Sequence, residues 1–212
     1  MRNSIFFLIL ILSLGFIASC DESPTPRRYT YFRIPFPEKQ YQKFDSTCPF
    51  TFRHPVYTSI QADQDRDAQP CYMNLVFPDF NAKIHISYKK ITDNESLYEL
   101  TEDAFRFVVK HNVIAEGYEP ELITLTDHDV YGLLYKIQGD VASSIQFFVT
   151  DSTDHYLRGA LYFNAAPNRD SLQPVIDFIR ADIDTMLQSL KWKQAELPGE
   201  SGMGLGTTQA QE

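Results

Sequence analysis

The sequence predicts an α+β fold, an antiparallel sheet with two main helices packed on one of its faces. Three observations carry this. Ala82-Lys-Ile-His-Ile-Ser-Tyr88 alternates strictly between apolar and polar residues, the period of a half-buried strand. The apolar runs Val130–Ile137, Ser144–Val149 and His155–Phe163 are separated by short polar breaks at Gly139-Asp140 and Asp151–Asp154, which suit hairpins and an antiparallel meander. Two longer stretches repeat their apolar residues every three to four positions, as amphipathic helices do.

The chain has 212 residues, and its first segment belongs to export rather than to a core. Arg2, the apolar run Ile5–Leu12 and the small residues of Ile17-Ala18-Ser19-Cys20 make a lipoprotein signal peptide over residues 1–19, with Cys20 as the acylated (for example palmitate-bearing) new terminus. The apolar run is too short for a stable span, which needs about 20 residues. One acyl chain holds a membrane marginally, at about 0.8 kcal/mol per methylene, whereas several chains on one cysteine anchor it stably. Residues 20–30, rich in Pro, Ser and charge, read as a flexible tether, residues 31–195 as a single globular domain, and residues 196–212 as a disordered tail. Four of the nine glycines fall in that tail.

Within the domain, Thr51–Tyr57 and Tyr72–Phe77 precede the alternating strand. Ser96 followed by Glu99 has the capping-box spacing, and Leu97, Leu100, Ala104, Val108 and His111 form the stripe of the first helix, with Gly117 as its stop. After the meander, Ser171 caps a second helix whose stripe is Ile176, Ile179, Ile183, Leu187 and Leu190; Trp192 then anchors the chain on the sheet. This order of elements resembles the Mog1/PsbP-like folds.

Composition removes several function classes. The net charge of −9 and pI near 5.0 argue against nucleic acid, which needs clustered Lys and Arg. The only short basic pairs are Arg27-Arg28 and Lys89-Lys90. Cys48 and Cys71, outside the reducing cytoplasm, most simply form one disulfide, stabilising the fold by about 3 kcal/mol; two separate buried thiols are the alternative. Neither cysteine has metal ligands at short spacing.

Chemical signatures are sparse. The phosphate loop, His-Glu-x-x-His, Gly-x-Ser-x-Gly and Cys-x-x-Cys are all missing from the sequence. His85, between Lys83 and Ser87 on a polar strand face, reads as a surface residue, and His111 as part of a helix stripe. Asp127-His128-Asp129 reads as a polar turn rather than a metal site. Asp63-Gln-Asp-Arg-Asp67 mimics the start of a calcium loop, but Ala68 stands where Gly belongs and Asn74 where Glu belongs, leaving an acidic loop. Ser152 and His155 in Asp151–Arg158 lack the turn and oxyanion donors that a nucleophile needs. Alternation in the following strand puts Tyr156, Arg158 and Tyr162 on one face. That composition suits either a protein-binding surface or the outer face of a covered sheet.

Several words of this sequence identify a family. After the cysteine come Tyr31-Phe-Arg-Ile-Pro-Phe-Pro-Glu-Lys-Gln-Tyr41 and Cys48-Pro-Phe-Thr-Phe52; later come Ala82–Tyr88, Asp151-Ser152, His155–Phe163 and Asp170-Ser-Leu-Gln-Pro-Val-Ile176. In this order they resemble the gliding motility lipoprotein GldD family of Bacteroidota, over about residues 20 to 193. The resemblance implies an accessory role in the gliding apparatus and the linked type IX secretion system, among other envelope proteins. It transfers only Cys20, as the lipid attachment point, and no catalytic residue.

The expectation is therefore a non-catalytic, lipid-anchored interaction protein of the cell envelope, on the periplasmic side, without cofactor or metal. The rival is a small-ligand or lipid-binding domain whose 16 Phe and 12 Tyr enclose an apolar pocket. A closed cavity of ligand size, against a filled core, separates the two.

Overall fold

The structure, a computed structural model, describes residues 34–92, 94–111 and 116–193. The signal peptide, Cys20, the tether and the tail at 196–212 lie outside the described residues.

In chain order the elements are β1 (Tyr41–Phe44), β2 (Phe50–Pro55), β3 (Ser59–Ala62), β4 (Met73–Phe77), β5 (Ala82–Lys90), α1 (Asn94–His111), β6 (Gly117–Leu125), β7 (Val130–Gln138), β8 (Ile145–Thr150), β9 (His155–Phe163), α2 (Arg169–Gln188) and β10 (Lys191–Trp192). Seven strands form one sheet in the order β3-β4-β5-β9-β8-β7-β6, and β1-β2-β10 form a second, smaller one. All described pairings are antiparallel. The fold is thus α+β with antiparallel sheets and two helices, and β7-β8-β9 is the meander that the turn residues predict.

The helices do not share a face. Residues Tyr135, Ile137, Phe148 and Tyr156 bury against Ala104 and Val108 of α1. On the opposite face, Phe50 of the small sheet meets Tyr88 (ring centroids 5.6 Å apart), and Arg180 of α2 reaches Glu121. Chain geometry explains this difference from the sequence expectation. The helix α1 leaves β5 in mid-sheet and must cross β9, β8 and β7 to start β6 at the far edge. The helix α2 leaves β9 and returns to pair β10 with β2 on the other side. Strand β8 records the two-sided burial in its composition: all six residues of Ile-Gln-Phe-Phe-Val-Thr are buried. Gly159, opposite Phe147, has no side chain because a Cβ there would stand 2.1 Å from the Phe147 ring.

Local signals differ in detail. Asn168, not Ser171, caps α2: its Oδ1 accepts the Ser171 N–H at 3.2 Å. Helix α1 already runs at Asn94, so Ser96 stands inside it rather than at its cap.

One polar group lies deep in the core. Asp182, 1% exposed, sits on the apolar side of α2 between Ile179 and Met186. Its Oδ1 accepts from Lys39 Nζ at 2.7 Å and Tyr41 Oη at 2.9 Å, and its Oδ2 from Tyr57 Oη at 2.6 Å. Lys39 Nζ also donates to the Phe178 carbonyl at 2.8 Å and lies 3.6 Å over the Phe178 ring. Burial, then the bond to Asp182 and its charge, push the Tyr57 phenol far above its ordinary value, so it stays a donor. A carboxylate removed from water is tolerated only because its lone pairs are filled.

Removing that carboxylate strands an ammonium and two hydroxyls. Asp182→Ala is expected to lower the unfolding free energy by about 3 kcal/mol, the low end for a broken buried pair because Lys39 keeps some access to water. Lys39→Met is expected to cost less, since Tyr41 and Tyr57 still donate. Urea denaturation of the two variants checks the order; equal, near-zero losses would show that the network contributes nothing net.

Candidate interaction surface

Tyr156, Arg158, Ala160 and Tyr162 alternate to the α1 side of β9, as their spacing predicts. That face is divided. Tyr156 is 3% exposed, stacks on Phe148 at 5.8 Å and donates to the Leu100 carbonyl of α1 at 2.9 Å. It belongs to the core beneath α1, which corrects its place among the interface candidates. Arg158 stands at the border: its guanidinium lies 4.2 Å over the Phe107 ring of α1, and Nη2 donates to Gln146 Oε1 at 2.9 Å. Tyr162 lies beyond the helix, partly exposed.

Past that border no helix among the described residues covers the sheet face. Strand register aligns a row across it: Gln146 of β8, Ala160 of β9, His85 of β5 and Asn74 of β4. His85 Nδ1 lies 3.3 Å from Asn74 Oδ1 and 3.8 Å from Asp63 Oδ2, with Tyr72 edge-on at 6.3 Å. Burial pushes the His85 imidazole below its ordinary value; Asp63 opposes this and Arg158 and Lys83 add to it. Burial likewise raises the Tyr72 phenol, with Arg158 opposing and Asp63 reinforcing. A groove of about 620 Å³ opens here, with polar walls at Asp65, Lys83, His85 and Tyr162 and an apolar floor that includes Val76, Phe77, Pro78 and Phe163.

A disulfide frames this site. Cys48 and Cys71 are joined across 23 positions, and Asp63 N–H donates to the Tyr72 carbonyl at 3.0 Å. Together they pin the acidic loop between β3 and β4, whose Asp63 and Asp65 reach the groove. The arrangement offers cationic donors, a neutral imidazole, carboxylate acceptors and an aromatic ring on one open surface. It can recognise a polar segment by hydrogen bonds and stacking.

The other constellations do not converge. Ser152 does sit in a strained turn, φ 70°, but as the tip of a tight hairpin. Asp151 Oδ1 accepts the backbone N–H groups of Thr153, Asp154 and His155, and His155 Nδ1 is engaged by Tyr88 Oη at 2.9 Å. Burial raises the Asp151 carboxyl, yet those three donors outweigh it and hold it low. The acid and the base of a triad are therefore both committed elsewhere. Asp127-His128-Asp129 forms a short helical turn beside a crevice of about 730 Å³, where His155 stacks on Trp192 at 5.0 Å. Trp192 thus packs on the first residue of β9 and also donates to the Asp129 carbonyl at 3.0 Å. Among the described residues, no three His, Cys, Asp or Glu side chains gather as a metal site.

The aromatic residues pack on one another. Phe50, Phe52, Phe77 and Phe147 are fully buried, with Phe44 stacked on Phe52 at 4.8 Å and Phe36 on Phe178 at 4.5 Å. The grooves described here open to the surface. No helix among the described residues is long and apolar enough to cross a membrane.

Comparison with known proteins adds an independent line. Residues 21–192 match the family described as gliding motility lipoprotein GldD. The solution structure of cyanobacterial PsbP from Synechocystis is similar at a TM-score of 0.40 and 14% identity, over 69% of this chain and 92% of that one. No curated protein matches in sequence.

Two outcomes follow for the groove. Reduction of Cys48–Cys71 is expected to cost about 3 kcal/mol in denaturant while the circular dichroism of the sheet persists; loss of all ordered structure would place the bridge in the core instead. His54 and His85 both have folded-state values depressed by burial, below their ordinary 6.5. Their contribution is thus fully present above that value and is lost as pH falls below it, because the unfolded chain takes up the protons first. The urea midpoint is expected to drop between about pH 7 and pH 5, and His85→Asn to flatten part of that slope; an unchanged slope in the variant would remove His85 from the account.

Proposed function

Because the chain belongs to the gliding motility lipoprotein GldD family, a family of gliding-associated lipoproteins held at a membrane of the envelope, we propose that it is a non-catalytic assembly component of the gliding and type IX secretion machinery. In this reading residues 1–19 are the signal peptide, Cys20 carries the lipid and residues 20–30 form the tether. A single domain over residues 31–195 binds other envelope proteins on the periplasmic side, and residues 196–212 are a tail. The anchor works by concentration: it keeps the domain within tether reach of membrane-bound partners, so a modest groove suffices.

The observation that supports this reading is the open half of the sheet face. There Tyr162, His85 and Lys83 line a groove and Arg158 stands at its border, while α1 covers the apolar half beside it. Arg and Tyr dominate interface hot spots, while Asp151 is taken up by the amides of its turn and His155 by the Tyr88 hydroxyl. Among the described residues the buried Phe side chains pack on one another, and the grooves described open to the surface, which favours the interaction reading over a closed ligand pocket.

Two experiments test the proposal. Cys20→Ala is expected to release the domain from membranes and abolish gliding or secretion with the fold intact; a soluble variant that still supports either would sink the anchoring argument. Crosslinking in cells, followed by mass spectrometry of detergent-solubilised membranes, is expected to recover motility or secretion components. An Arg158→Ala, Tyr162→Ala double variant is expected to lose at least about tenfold of that yield. Undiminished recovery from the variant would move the interface off this groove.

A further inference from the structure

We propose a second docking site on a different surface: the outer edge of β6, which takes an extended segment of a partner protein as an eighth strand.

Among the described residues, strand β6 ends the large sheet, with β7 as its one neighbour over nine residues. Ile137 N–H donates to the Ser144 carbonyl on the β8 side, at 2.9 Å. Along β7 the amides therefore alternate, and those of Lys136, Leu134, Gly132 and Val130 turn to β6. Their register partners are Glu119, Glu121, Ile123 and Leu125. The backbone groups of Tyr118, Pro120, Leu122 and Thr124 thus point away from the sheet. Pro120 falls in this outward set, where its missing N–H costs the β6–β7 ladder nothing. What remains is an amide and carbonyl ladder at Leu122 and Thr124 that only another extended backbone can fill.

Side chains define the partner. On the α1 side, Leu122 is 79% exposed and Tyr118 37%, and Tyr118 meets Phe105 of α1 edge-on at 5.9 Å. Val109, one turn beyond Phe105, is exposed as well. Phe105 and Val109 of α1 with Tyr118 and Leu122 of β6 are four of the eight large apolar side chains that stand exposed among the described residues. On the other side of the strand lie Glu119 and Glu121; Glu121 is held by Lys136 and Arg180 within the chain, while Gly117–Leu125 itself contains no cation. The complementary strand is apolar on the α1 side and carries a base opposite Glu119 on the other, an alternation at the period of a strand. The opposite edge, β3, is four residues long and polar at Ser59 and Gln61, and offers no such surface.

The test uses the full chain in nonionic detergent and a blocked peptide of about ten residues alternating valine and lysine. Saturable binding is expected, with amide exchange slowed at least about tenfold at Leu122 and Thr124. N-methylation of alternate peptide residues, which keeps charge and blocks the ladder, is expected to abolish it. Leu122→Lys, at a position exposed enough to leave folding unchanged, is expected to weaken it at least about tenfold. Equal binding of the methylated peptide would mean charge adsorption and overturn the proposal, as would no binding at all. If light scattering shows a dimer whose Leu122 and Thr124 amides are already protected, a second copy owns the edge and the partner strand is refuted.

Discussion

The carboxylate of Asp182 ties together parts of the fold that share no strand register. Lys39 and Tyr41 come from the segment entering the small sheet, Tyr57 from the turn after β2, and Asp182 from the last helix. Hydrophobic burial would hold α2 against the sheets at many small offsets along its axis, since Ile179 and Ile183 are fully buried among interchangeable apolar neighbours. A carboxylate with three fixed donors accepts few such offsets, because any slip leaves buried polar groups unpaired. The network thus acts more on uniqueness of packing than on gross stability.

With α2 and the small sheet fixed on one side, the opposite side of the large sheet is free to differ along its width. Helix α1 covers the strands that supply Tyr135, Ile137, Phe148 and Tyr156, and stops where β9 meets β5. The chemistry changes at that line, from aromatic rings to His85, Asn74, Lys83 and Asp63. Arg158 suits the boundary because its stem and planar head can lie on Phe107 while its donors face Gln146. A helix that covered all seven strands would have needed apolar residues at Lys83 and His85, and their polarity marks where the cover ends.

Much of this was legible in the residues. The alternation of β5 and β9, the breaks within the meander and the stripes of both helices each reflect local backbone geometry. Strand β6 was not legible, because Pro120 and two glutamates suppress the strand pattern and its order comes from nine partners in β7. Tyr156 shows the complementary failure: its face was readable, but what lies over it depends on where α1 crosses. The cluster of His85, Asp63 and Tyr72 is assembled by register between β4 and β5, which no spacing encodes. Asp182 did leave a trace, a carboxylate three positions after Ile179 and one before Ile183 on an apolar stripe. A charge there requires a buried partner.

The bridge between Cys48 and Cys71 also bears on timing. It holds the loop carrying Asp63 and Asp65, one wall of the polar groove, to the start of β2. Thiols stay reduced in the cytoplasm and oxidise outside it. A chain still on the near side of the membrane therefore lacks this wall, however complete its sheets are. On the proposed export route, compartment chemistry becomes a clock: the bridge that holds this loop closes only after export, so the proposed surface is completed where its proposed partners are.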